Sequence, residues 1–285
     1  MKSRTMIFSL AGLACIVLAA CLGPMISPYG YETISDLQFS PPCWQHWLGT
    51  DIHGRDVLTR ILYGARISLL VGMVGAGVSL VIGVSYGLAS GYCGGKVDRA
   101  MMRFVDILYS LPRIIIVIAL IALLDEAFKN KFQEWPALVQ SSRIVILFFA
   151  LGMVEWLTMA RIVRGQTLSL KERAFVHAAR VLGQGPLRIM WQHLLPNLAG
   201  IILVYLTLTI PAVILEESFL SFLGLGVQAP RSSWGTQLSD GAAFINPIRI
   251  YWWLLVGPAG FMAFTLLCLN FLGDCLRDRL DVWRG

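Results

Sequence analysis

Six runs of about twenty mostly apolar residues divide this chain, at 6–26, 68–89, 104–124, 143–162, 198–220 and 250–272. A helix of that length reaches across the roughly 30 Å hydrocarbon layer of a bilayer. The pattern predicts an all-α, polytopic membrane protein with about six transmembrane helices, separated by polar loops of unequal length. Small residues recur in the second run, with Gly83 and Gly87 four apart, as expected of a helix whose backbone packs closely against a neighbour. Ionisable residues interrupt the apolar pattern at Arg113 and Glu155. Arg113 stands near the start of its run and is expected to snorkel to the surface; Glu155 interrupts the fourth span.

One long polar, basic segment, 171–196, lies between two strongly apolar runs. Ala174, Phe175, Ala178, Ala179 and Leu182 fall on one face of a short helix, with Arg173, His177 and Arg180 on the other. Gly183, Gly185 and Pro186 predict its end, and a second short run, 187–195, leads into Pro196. The spacing fits a basic amphipathic helix resting on the membrane surface as well as it fits a helix that docks on another protein.

The other long polar stretch, 27–63, contains His46-Trp47-Leu48-Gly49-Thr50-Asp51 and Gly54-Arg55-Asp56-Val57-Leu58, and ends in a short amphipathic helix built on Val57, Leu58, Ile61 and Leu62. His46, Asp51, His53 and Asp56 are conceivable metal ligands, but carboxylates and histidines in a loop more often cap helices or face water. The run 91–96 is not a phosphate loop: Ser90 takes the place of the first required glycine and Val97 that of the hydroxyl residue. After the fifth run, Ser221-Phe222-Leu223-Gly224-Leu225-Gly226 and then Ser233-Trp234-Gly235 form an apolar, glycine-broken piece. Such a piece is tolerable at membrane depth only under a cover of protein. Trp252 and Trp253 sit where an interfacial belt would place them.

Composition agrees: 56% hydrophobic residues, 14% charged and a mean hydropathy of +0.69 exclude a soluble domain of 285 residues. The net charge of +6 reflects topology and not a nucleic-acid footprint, because the basic residues lie between apolar runs. With six spans, one side carries Lys2, Arg4, Lys96, Arg99, Arg103, Arg161, Arg164, Lys171, Arg173, Arg180, Arg188, Arg277, Arg279 and Arg284. The other carries Arg55, Arg60, Arg66, Lys129, Lys131, Arg143, Arg231 and Arg249. Fourteen against eight puts the 171–196 loop and both termini in the cytoplasm. Leu18-Ala19-Ala20-Cys21 resembles a lipoprotein cleavage site, but the run around it is long enough to cross the bilayer and is read as an uncleaved first span. The six cysteines show no metal spacing, and Cys43, in the polar loop, has no evident disulfide partner.

Ala178-Ala179, Gly183 and, after a further stretch, Leu195-Pro196 resemble the cytoplasmic signature loop of permease subunits of bacterial ABC importers. His177 and His193 depart from that pattern, standing where the family usually has Glu and Ile. The 46–58 segment, the link through Asp98, Arg99 and Arg103, the 221–241 segment and the tail from Asn270 to Asp281 resemble the dipeptide, oligopeptide and nickel branch. The chain is most similar to the second, "C"-type permease of peptide systems, from about Trp47 onward.

The resemblance implies a type I importer permease fold. It divides the chain into an N-terminal helix and extracytoplasmic loop (1–65), a core (66–273) containing a coupling loop at 165–196, and a cytoplasmic tail (274–285). Glu172, Phe175, His177, Ala178, Ala179, Gly183, Leu195 and Pro196 would couple the chain to an ATPase. Gly49, Thr50, Asp51, Gly54, Arg55, Asp56, Ser221, Phe222, Leu223, Gly224, Leu225, Gly226, Trp234 and Gly235 would lie near the extracytoplasmic mouth. Implied partners are a second, homologous permease, two ATP-binding subunits that hold ATP and Mg, and an extracytoplasmic binding protein, all at the bacterial inner membrane. The chain itself would be no enzyme and hold no cofactor or metal. Peptide is the expected cargo and nickel the alternative. An ion-driven secondary transporter would need intramembrane carboxylates and related halves; Glu155 and Asp106 are candidates, but the chain shows no internal repeat.

Overall fold

The structure, a computed structural model, describes residues 2–132, 136–228, 231–245 and 249–282. Among the described residues the regular elements are helical: α1 (Lys2–Ile26), α2 (Val57–Cys93), α3 (Gly95–Ser110), α4 (Arg113–Lys131), α5 (Pro136–Leu170), α6 (Ala174–Val181), α7 (Pro186–Ile189), a π-helical turn (Met190–Leu194), α8 (Leu195–Phe222), α9 (Trp234–Ala243) and α10 (Trp253–Val282). Among the described residues, five helices are long and apolar enough to cross a membrane, or six when the bent pair α3 and α4 counts as one span.

That bent pair corrects the expectation of a continuous third span over 104–124. Pro112 has no N–H to give a helix and crowds the residue before it out of the helical region. Leu111 is therefore extended (φ −86°, ψ 143°), and α3 and α4 meet at 96°. A second correction concerns 57–62, which forms no separate surface helix but the first turns of α2. Asp56 caps that end, its Oδ2 accepting from the Thr59 N–H and hydroxyl at 2.8 Å each, and the 37-residue helix then runs on unbroken for about 55 Å. A third concerns the polar stretch 125–142, much of which is helical. Lys129 (2.7 Å) and Arg143 (3.6 Å) both reach the Asp125 carboxylate, tying α4 to α5.

The chain forms two compact units, whose boundaries fall inside α2, α8 and α10. The first comprises 1–73 and 214–275. Its core joins Ile16 and Ala20 of α1 to Val57, Ile61 and Ala65 of α2, Trp234 of α9, and Trp253 and Leu254 of α10. The Arg66 guanidinium also donates to the Ala20 and Cys21 carbonyls, at 2.6 and 2.7 Å, so α1 is tied to α2 by more than apolar contact.

The second unit comprises 74–213 and 276–285. Here α2 and α5 approach closely along Gly83, Gly87 and Gly91: a Cβ at Gly87 would lie 2.6 Å from the Ala160 carbonyl oxygen. In lipid, where apolar burial gives helices little reason to associate, such close backbone contact holds a helix pair together. At the Gly91 end, Arg164 makes two bonds to Asp98 (2.8 and 2.6 Å), which also accepts from the Ser90 hydroxyl at 2.6 Å, joining α2, α3 and α5.

Candidate functional site: a coupling loop, an outer loop assembly and a charged helix break

The 171–196 segment belongs to the second unit. Its short helix, α6, ends in a Schellman turn: Gly183 takes φ 75°, its N–H bonds the Arg180 carbonyl at 2.9 Å, and the Gln184 N–H bonds that of Ala179 at 3.1 Å. Glycine alone occupies that conformation cheaply. The next element is continuous with α8. Pro196 cannot donate to the residue four before it, and ahead of it the ladder widens into the π-turn, in which the Leu195 N–H bonds the Met190 carbonyl. Leu195 and Pro196 thus lie inside one helical rod that begins at Pro186.

The faces of α6 differ in part from the expected ones. Val176 (fully buried) and Ala179 (3% exposed) turn inward with Ile189 and Leu194, onto Val84 and Leu88 of α2, Val163 of α5 and Leu198 of α8. Phe175, Ala178 and Leu182 are exposed, whereas Ala179, expected to share their face, is buried. Val181 (88% exposed), Leu187 and Trp191 are exposed alongside them. Val176 shares helical spacing with Ala179, a signal that the reading of the polar face passed over.

The two departing histidines differ in their surroundings. His177 lies 3.8 Å from the exposed carboxylate of Glu172, and His193 Nε2 meets Gln184 Oε1 at 2.7 Å, fixing the residue just past the α6 turn.

The motif residues of 49–56 and 221–235 both lie in the first unit, where Asp51 pairs with Arg60 and Trp234 bonds to Ile61, neighbouring residues of α2. Gly49 and Gly54 close successive turns, Thr50 bridges to Asp56, and the Thr50 hydroxyl donates to the Leu37 carbonyl. Asp51 accepts from the His53 and Arg55 N–H groups (2.8 and 2.9 Å) and from the guanidinium groups of Arg55 and Arg60. Burial pushes the Asp51 pKa up, but the Arg55 N–H, the Arg60 and Arg55 charges and the His53 N–H outweigh it and hold the carboxyl below its usual range. Asp56 pairs with His46 Nδ1 at 3.0 Å. The carboxylates considered as metal ligands are thus engaged within the loop, and among the described residues no three His, Cys, Asp or Glu side chains converge on a metal position.

The helix end at 221–226 is a second Schellman turn, with Gly224 at φ 77° and the Leu225 N–H bonded to the Leu220 carbonyl at 2.8 Å. Beyond it the chain folds back, and Val227 bonds to the Ser221 hydroxyl at 3.3 Å. Phe222, Leu223 and Leu225 stay exposed, whereas Glu217, fully buried, accepts from the hydroxyls of Ser221 (2.5 Å) and Ser233 (2.7 Å). Ser233 caps α9 in a reciprocal pair with Thr236. Gly235 lies so close to α8 that a Cβ would meet the Ser218 Cα at 2.4 Å. Trp234, fully buried, donates to the Ile61 carbonyl at 3.1 Å, and Gln237 donates to that of Arg60 at 2.7 Å. The 49–56 loop, the start of α2, α9 and α10 line an open pocket of about 230 Å³ that includes Asp51, Arg60, Gln237 and Asp240. Sequence reasoning missed Glu217 as the hub of this assembly, although Ser221 stands four residues on, one helical turn away.

In the second unit, Arg113 does not snorkel away. Its Nη1 donates to Glu155 at 3.0 Å and its Nη2 to the Tyr109 hydroxyl at 3.1 Å, which corrects the earlier expectation.

A family model described as "Binding-protein-dependent transport system inner membrane component" matches residues 80–283. The chain belongs to this family of binding-protein-dependent transport permeases. A second model, the N-terminal TM domain of oligopeptide transport permease C, matches residues 1–42 and extends the likeness ahead of Trp47. Among related permeases, the chain is 46% identical over 283 residues to the oligopeptide transport system permease protein OppC of Haemophilus influenzae, covering 98% of this chain and 85% of that one. It is 47% identical over 284 residues to OppC of Escherichia coli K12 (99% and 88% covered). It is 43% identical over 282 residues to the dipeptide transport system permease protein DppC of Bacillus subtilis (98% and 82% covered). A solved methionine ABC transporter, MetNI, in inward-facing conformations matches with a TM-score of 0.57 at 19% identity, covering 77% of this chain and 95% of that one. The likeness to MetNI establishes a type I importer permease fold, as the sequence led us to expect, and no more.

Proposed function

We propose that this permease is the membrane-spanning subunit of an ATP-driven importer of dipeptides or oligopeptides, coupled to partner ATPases through α6. One observation carries the coupling: α6 is fastened to α2, α5 and α8 by Val176, Ala179, Ile189 and Leu194, while Phe175, Ala178, Val181, Leu182, Leu187 and Trp191 present an apolar surface beside it. An apolar patch of this kind marks a protein contact, and a helix packed into the body of a domain moves with it as a unit. A motor pressing on α6 therefore moves the spans as well.

The excess of basic residues on the α6 side supports placing that surface and both termini in the cytoplasm of a bacterial inner membrane. The outer loop assembly would then face the binding protein that delivers cargo, and a second, similar permease would complete the path. ATP and Mg would be held by the two ATP-binding subunits, and this chain would carry no catalysis. The names of the relatives favour peptide over nickel.

The test is to purify the transporter with its companions and reconstitute it in proteoliposomes. The reading expects ATP-dependent uptake of short peptides in the presence of the receptor. Uptake driven by an ion gradient without ATP would contradict it.

A further inference from the structure

We propose that the break between α3 and α4 lines the path taken by cargo, and that the Arg113 guanidinium there receives a carboxylate of the passing peptide. The inference rests on the importer reading above and adds a substrate contact to it.

Two independent observations meet at the break. One is the backbone: Leu111 and Pro112 are both extended (ψ 143° and 121°), and the side chains from Ser110 to Ile115 are exposed or nearly so, Leu111 by 48%. Irregular backbone at membrane depth survives only where protein covers it or where it lines a watery cavity. The other is charge. Arg113 pairs with Glu155, which lies twelve residues beyond Arg143 on α5, about 18 Å along a run of apolar residues. At that depth a charge has to meet protein or water. The Glu155 carboxylate does so by burial, with 6% of its side chain exposed, but 43% of the Arg113 side chain remains accessible.

A polar row continues from this pair along α5 and α3. Thr158 bonds to the Tyr109 hydroxyl at 2.8 Å, and Arg161 lies 3.9 Å over the Tyr109 ring while pairing with Asp106 at 2.7 Å. Both members of that last pair are well exposed, at 41% and 62%. A dry contact with another subunit would strip water from these groups at high cost; a hydrated path does not.

The chemistry selects the ligand. A peptide with a free C-terminus carries a carboxylate, which the planar, weakly hydrated guanidinium matches. Glu155 and Tyr109 hold that guanidinium in place, and the nearby carboxylate keeps the local charge balanced, so the contact stays weak enough to release what it receives.

The experiment uses the complete transporter in proteoliposomes. The variant S110C is exposed to a negatively charged, membrane-impermeant thiol reagent, with V17C, on the outward side of α1, as a lipid-facing control, and labelling is read by peptide mapping so that native cysteines do not interfere. The expected result is labelling of S110C, slowed severalfold by transported peptide, and none of V17C. In parallel, a tripeptide acid and its C-terminal amide of matched receptor affinity are compared. The wild type should favour the acid by about tenfold. The double variant R113Q/E155Q, which removes the pair without stranding a buried charge, should lose that preference. An inert S110C, or an acid-to-amide ratio unchanged in the double variant while the wild type still transports, overturns the inference and leaves the importer reading standing. A wild-type complex that moves neither peptide contradicts the importer reading itself.

Discussion

The outer loop assembly and the α6 region solve opposite problems. Around 49–60 and 217–237, Phe222, Leu223 and Leu225 stay exposed, but the polar motif residues are spent on the chain itself: Asp51 holds Arg55 and Arg60, Asp56 holds Thr59 and His46, Glu217 holds two serines, and Trp234 is sealed under α2. Around α6, the motif residues that fasten the helix are few, and Phe175, Val181 and Leu182 are exposed. A segment whose polar groups satisfy one another holds a shape; a segment that leaves apolar side chains in water waits for a partner. Two motifs recognised by the same sequence resemblance therefore do different physical work.

Substitutions can separate the two. The largest effect is expected from Trp234→Ala, which opens a cavity in the outer assembly and should cost about 3–5 kcal/mol of stability, read as a lowered thermal midpoint of the purified complex. Next comes Ala178→Asp on the exposed face of α6. It puts a charge into the proposed contact and should weaken association with the ATPase by about 2 kcal/mol, about thirtyfold, without moving the midpoint. If Ala178→Asp lowered the midpoint instead, or Trp234→Ala spared it, the contrast drawn here would fail.

Smaller effects sharpen the picture. Gly183→Ala forces a side chain into the left-handed turn, where there is room for it but not for its backbone preference, at about 1 kcal/mol, seen as faster amide exchange in α6. Asp51, with its carboxyl held below the ordinary range, stabilises the loop at pH values above the unfolded carboxylate range and loses that contribution as pH falls through it towards the lowered folded value. Asp51→Asn should flatten this acid limb of the stability curve.

The sequence reading located the spans because apolar runs about twenty residues long leave little alternative in a chain this hydrophobic. It located the helix stop at Gly183 because the left-handed turn asks for glycine. Breaks inside an apolar run are harder to read: Pro112 lies within the run 104–124 and divides the third span, because nothing in local composition says whether neighbouring helices will re-satisfy the freed backbone. Partners far apart in sequence were hidden as well. Arg113 and Glu155 are 42 residues apart, and Arg60 and Gln237 are 177, so only the fold shows that each pair meets. Spacing groups Ala179 with Phe175, Ala178 and Leu182, yet it is buried, because a short helix carries apolar residues on more than one side and spacing alone does not say which side is inward.

The most direct measurement of the central claim is photo-crosslinking from a benzophenone amino acid placed at Phe175 in the assembled transporter. The account predicts an adduct with an ATP-binding subunit, lost when Ala178→Asp is added. An adduct with lipid, or with the extracytoplasmic receptor, would contradict it.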